Sequence, residues 1–137
     1  MTRPKGIGDG DLVISSFDKE RLLRLMLEDQ TASEDLAHEI ERGSEVRPED
    51  IPPDVVTMNS TVRVTDLESG ASGVYTIVFP SDADYEKRRI SIMSPLGTAL
   101  IGYRVGDLVE WRSPRGPQRV RIDEIIYQPE ASGDFHL

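Results

Sequence analysis

The densest chemistry in this sequence is carboxylate. Glu28, Asp29, Glu34 and Asp35 bracket a short polar stretch, Gln30-Thr31-Ala32-Ser33. Carboxylate oxygens are the ligands a hard cation prefers, and a bound metal can activate water. The same charges also suit a basic channel on a partner, or simple solvation. Other chemistries are poorly supplied. There is no cysteine, so disulfides, thiolate metal sites and cysteine nucleophiles are excluded. The two histidines, His38 and His136, are far apart, which argues against a histidine zinc site and a Ser/His/Asp constellation. No phosphate-loop or dinucleotide glycine pattern occurs. Trp111 and four tyrosines could line an aromatic cleft, but aromatics make up only 6% of the chain and core packing accounts for them. Arg112, Arg115, Arg119 and Arg121 make one basic hairpin, read first as solvated strand charge. No cofactor and no metal are expected.

These carboxylates must be positioned by helices. Leu22, Leu25 and Met26 fall at i, i+3 and i+4, which predicts a helix over about 18–28. Asp18 or Ser16 is its candidate cap, and Leu23 and Leu27 widen the stripe. Leu36, Ala37 and Ile40 predict a second helix over about 32–42, with Thr31 and Glu34 at capping-box spacing and Gly43 as the stop. A connection of a few residues implies an antiparallel hairpin with the four carboxylates at its tip. A 12-residue helix reaches only about 18 Å at 1.5 Å per residue, so this arm is short.

The prolines of Arg47-Pro48-Glu49-Asp50-Ile51-Pro52-Pro53-Asp54 mark a linker, since proline disfavours both helix and central strand. Beyond it the pattern turns to strands, predicted over 55–65, 74–79, 89–93, 108–112 and 119–127. Ser94-Pro95 opens a short helix, with serine as cap and proline at the first helical position, and Gly102 closes it. Residues 128–137 show no periodicity. The expected domains are a tail over 1–15, an acidic helical hairpin over 16–46, a linker over 47–54 and a sheet domain over 55–137. The fold class is therefore α+β: a coiled-coil-like hairpin on a bent antiparallel sheet with one short helix.

The chain has 137 residues and a net charge of −9, most of it in residues 1–54. That balance argues against broad contact with a nucleic-acid backbone. Residues 1–14 carry Arg3 and Lys5 with no apolar run after them, so no secretory signal is read there. The apolar stretch at 22–27 is broken by Arg24 and is far short of a membrane span. The expected location is the cytoplasm.

Ile92-Met93-Ser94-Pro95-Leu96-Gly97-Thr98-Ala99-Leu100-Ile101-Gly102, then Gly106-Asp107, then Pro114-Arg115-Gly116, resembles the C-terminal domain of the Gre transcript-cleavage factors. That pattern is a strand ending in Ser-Pro, a helix ending in Leu-Ile-Gly, a Gly/Asp turn, and a Thr-Pro-Gly-Gly hairpin. Here Ser113 stands for the threonine and Arg115 for the first of those glycines. A closer resemblance is to the regulators of nucleoside diphosphate kinase, carried by Asp54-Val55-Val56-Thr57-Met58-Asn59-Ser60 and by Tyr127-Gln128-Pro129-Glu130-Ala131 with Gly133-Asp134. It covers nearly the whole chain from about Asp18.

The resemblance implies an FKBP-like sheet domain, a stubby coiled-coil arm and binding to RNA polymerase near its secondary channel. It implies contact through the tip residues Glu28, Asp29, Glu34 and Asp35, and through Ser94, Pro95, Leu96, Gly97, Leu100, Ile101, Gly102 and Tyr103, with Leu96 and Tyr103 exposed. The short arm should stop before the polymerase active centre, so a blocking or competing role is expected rather than transcript cleavage. Nucleic acid would be met only through the polymerase. An effect on nucleoside diphosphate kinase is implied by the family's name and is expected to be indirect. The rival readings are an FKBP-like prolyl isomerase and a protein that binds the kinase directly.

Overall fold

The computed structural model describes residues 12–28, 34–135 and 137. Strand β1 (Val13–Ser15) leads into helix α1 (Ser16–Glu28), followed by α2 (Glu34–Arg42) and β2 (Ser44–Val46). Then come β3 (Thr61–Asp66), β4 (Ser72–Val78), β5 (Arg89–Ser91), helix α3 (Pro95–Leu100), β6 (Leu108–Ser113) and β7 (Gly116–Tyr127). The fold is α+β, with few helices and a curled mixed sheet.

The sheet runs β5-β4-β3-β7-β6. Its pairs are antiparallel except β4 with β5, which is parallel. This corrects the expectation of a purely antiparallel sheet. After β4 the chain does not turn back as a hairpin. It passes through single 3-10 turns at Pro80–Asp82 and Tyr85–Lys87, with Arg88 in the left-handed region, and returns in the original direction. Long β7 pairs with β3 on one side and β6 on the other, and its register against β3 shifts twice. Such irregularities bend and twist a strand, which curls the sheet.

Residues 12–15 were expected in a tail. Instead β1 pairs in parallel with β2, and Val13 and Ile14 are buried. A three-residue strand is too short to show a period, so this pair was invisible in the sequence. Ser15, still extended, caps α1: its Oγ accepts from the Asp18 N–H at 2.9 Å, a role expected of Asp18 or Ser16. Leu22 is fully buried and Leu25 and Met26 pack against the core, but Leu23 and Leu27 face out at 39% and 84% exposure. The buried stripe of α1 is thus narrower than its leucines suggested. In α2, Leu36 and Ile40 are buried. The capping-box residue Thr31 lies outside the described residues.

The predicted strand over 55–65 begins only at Thr61. Residues 55–58 are buried as turns and a bridge, with Val55 opposite Arg104. One apolar core joins Leu12, Ile14, Leu22, Leu36 and Ile40 to Val56, Met58, Ile77, Leu100 and Ile122, so the two helices share the interior of the sheet.

Candidate functional site

The α3 segment is built by local chemistry. Ser94 Oγ accepts from the Gly97 N–H at 3.1 Å and donates to the Ser91 carbonyl at 2.7 Å, while Thr98 Oγ1 donates to the Ile92 carbonyl at 2.8 Å. Gly97 is required by contact: a Cβ there would lie 2.3 Å from the Ser91 carbonyl oxygen. Gly102 has a φ of +83°. Its carbonyl accepts from the Val13 N–H at 3.1 Å and its own N–H donates to Val56 at 2.9 Å, so this turn ties β1 to residues 55–58.

These contacts sort the residues expected to meet a partner. Gly97, Leu100, Ile101, Gly102 and Tyr103 are buried. Tyr103, expected to be exposed, keeps 2% of its surface, because the turn at Gly102 points it into the core. Pro95 is exposed and Ser94 and Leu96 are half-buried, so the accessible part of the motif is the start of α3.

Of the residues expected at an arm tip, Glu28 ends α1 and is exposed. Asp29 lies outside the described residues, and Glu34 and Asp35 open α2. Glu28 also lines a cleft of about 500 Å³ with Arg21, Arg24, Leu25 and the turn at 79–82. A second groove of about 530 Å³ lies along Phe17, Glu20, Leu23 and Glu45. Among the described residues, no three His, Asp or Glu side chains gather as a metal ligand set.

Sequence reading missed a polar cluster where α1 meets the sheet. Asp18 is 1% exposed. It accepts from Arg21 Nη2 at 2.5 Å and from the Met58 N–H at 3.0 Å. Burial pushes its carboxyl above the usual range, opposed by the Arg21 and Met58 bonds and the Arg21 charge. The Arg21 guanidinium sits over the Phe17 ring at 4.0 Å and near the Phe79 ring at 4.9 Å. Glu130 accepts from Thr57 Oγ1 at 2.7 Å. Burial raises its carboxyl as well, opposed by the Thr57 bond and reinforced by the negative charge of Asp18. The sequence offered one signal, an acidic residue four positions before the apolar stripe, and helix capping explained it too readily.

Residues 51–127 match the C-terminal family of the GreA/GreB transcription elongation factors. Over its whole length, the chain is 37% identical to the regulator of nucleoside diphosphate kinase of Escherichia coli, covering all of that protein. It is 44% identical over 77 residues to transcription elongation factor GreA of Acetivibrio thermocellus, spanning 56% of this chain and about half (48%) of that one. A solved structure described as a prokaryotic GreA/GreB elongation factor from Nitrosomonas europaea superposes with a TM-score of 0.71 at 45% identity, covering 85% of this chain and 99% of that one. The sheet, the α3 motif and the full-length match agree: the chain belongs to the GreA/GreB C-terminal family, alongside the regulator of nucleoside diphosphate kinase.

Proposed function

We propose that this protein is a non-catalytic transcription regulator of the cytoplasm that binds RNA polymerase at the mouth of its secondary channel and competes there with Gre factors. The observation that carries this reading is a pair of short helices, α1 and α2, ahead of a Gre-type C-terminal domain. At 1.5 Å per residue, the 13-residue α1 spans roughly 20 Å. A reach of that order suits occupying a channel entrance rather than delivering metal to a distant active centre. In this reading α1 and α2 form a stubby antiparallel coiled coil on an FKBP-like domain. Glu28, Asp29, Glu34 and Asp35 meet basic channel walls, and Ser94, Pro95 and Leu96 form the docking edge. Any effect on nucleoside diphosphate kinase then follows from altered gene expression. No cofactor takes part.

The test is competition with a labelled Gre factor for core RNA polymerase, using the chain and a variant with Asp29, Glu34 and Asp35 changed to Lys. Displacement by the chain, weakened in the variant, is the expected result. Displacement equal in both would confine binding to the sheet domain. No displacement by the parent chain would remove the polymerase reading.

A further inference from the structure

Residues 128–135 and Leu137 show no sequence period, yet they are held by consecutive turns. The Ser132 N–H donates to the Gln128 and Pro129 carbonyls, Gly133 to Glu130, Asp134 to Pro129, and Leu137 to Asp134. Tyr127 Oη locks the outer turn by donating to Asp134 at 2.5 Å. Both ends of this segment grip other parts of the molecule. Gln128 is 2% exposed, and its amide nitrogen donates to the Pro52 carbonyl at 2.8 Å and the Val55 carbonyl at 2.6 Å. Its amide oxygen accepts from the Ala131 N–H at 3.1 Å, so one side chain staples the segment to the linker. At the other end, Arg21 Nη2 donates to the Leu137 carbonyl at 2.7 Å as well as to Asp18.

We infer that residues 128–135, together with Leu137, form a strap that fixes the angle at which α1 leaves the sheet domain. The strap starts at the sheet-side staple and ends on Arg21, one helical turn beyond Asp18. Arg21 is held in turn by the Phe17 and Phe79 rings, one from α1 and one from the end of β4. The chain thus crosses the junction twice, once through the shared apolar core and once through a polar path of Gln128, Glu130, Leu137 and Arg21. Apolar contacts are non-directional and tolerate some rocking. Hydrogen bonds to a planar guanidinium are directional, so the polar path is the one able to set an angle. It is also the weaker path, because the strap's far end keeps Phe135 and Leu137 47% and 37% exposed.

The absence of cysteine makes the test clean. Spin labels are placed at Glu28→Cys on the arm and Glu68→Cys on the exposed β3–β4 turn, and their distance distribution is measured in the full chain. Arg21→Lys keeps a cation beside Asp18 but gives up the planar double contact. Tyr127→Phe removes one oxygen and frees the outer turn, through Asp134, that carries the strap to Leu137. In both variants the single narrow distribution should broaden, and the Asp134 and Leu137 amides should lose on the order of tenfold in hydrogen-exchange protection. Should Arg21→Lys fail to fold, Tyr127→Phe decides alone. Protection lost with an unchanged distribution would overturn the strap, leaving the apolar core as the only determinant of the angle. So would a variant with neither quantity altered. The test contains no polymerase, so its outcome is separate from that of the proposed function.

Discussion

Asp18 is held by its neighbours in a state water would not favour. Desolvation outweighs the help of Arg21 and the Met58 amide, so its carboxyl binds a proton more tightly in the fold than in the unfolded chain, where the ordinary value is 3.8. Between 3.8 and the raised value, the native state therefore carries more protons than the unfolded one. Stability falls as pH rises through that window, and is recovered on acidification. Glu130, raised from 4.5, adds to the same slope. Urea unfolding at a series of pH values should show Asp18→Asn with a shallower slope than the parent; parallel curves would mean that Asp18 titrates normally. A second residue-scale expectation concerns Gly97, whose missing Cβ leaves room for the Ser91 carbonyl. Gly97→Ala should cost about 1–3 kcal/mol by overpacking. A cost below about 0.5 kcal/mol, the range of ordinary surface changes, would show that α3 can move away from β5. The α3 cap was legible because Ser-Pro leaves a local signature. Asp18 was not, because its meaning depends on Met58, forty residues later.

Elements divide the apolar residues of α1 in a way the sequence could only half express. Leu22 is fully buried while Leu27 is 84% exposed. Leu22→Ala should cost about 2–5 kcal/mol, as core truncations do. Leu27→Ala should stay within about 0.5 kcal/mol, and chemical denaturation of both variants checks the contrast. Equal losses would mean that the helix is rotated from the orientation described. Periodicity located both helices and most strands to within a few residues, because each buries one face. It could not find β1 and β2, three residues apiece, nor the parallel placement of β5. Those depend on partners distant in sequence, Gly102 and Val13 for the first and the β4 edge for the second, and no local spacing encodes them.

At the scale of the molecule, α1, α2 and the sheet have one interior. Leu12, Leu22, Leu36 and Ile40 pack in the same cluster as Leu100 and Ile122. Thermal unfolding should therefore be a single transition, with the fluorescence of Trp111, the chain's one tryptophan, and the far-ultraviolet helix signal changing together. Helix loss preceding the tryptophan change would show the arm to be a separately melting unit. The family was legible because its motifs recur in order along the sheet domain. The shared core was not, since the proline-rich linker reads as a boundary, whereas Ile51 within it and Val55 just after it are buried in one cluster with Val13 of β1. The proposed occupancy of the polymerase secondary channel is tested most directly by a photo-crosslinker at Glu28→Cys, mixed with core RNA polymerase and mapped by mass spectrometry. Crosslinks to residues at the channel mouth that disappear when excess Gre factor is added are the expected result. Crosslinks elsewhere on the enzyme, or crosslinks indifferent to the Gre factor, would contradict it.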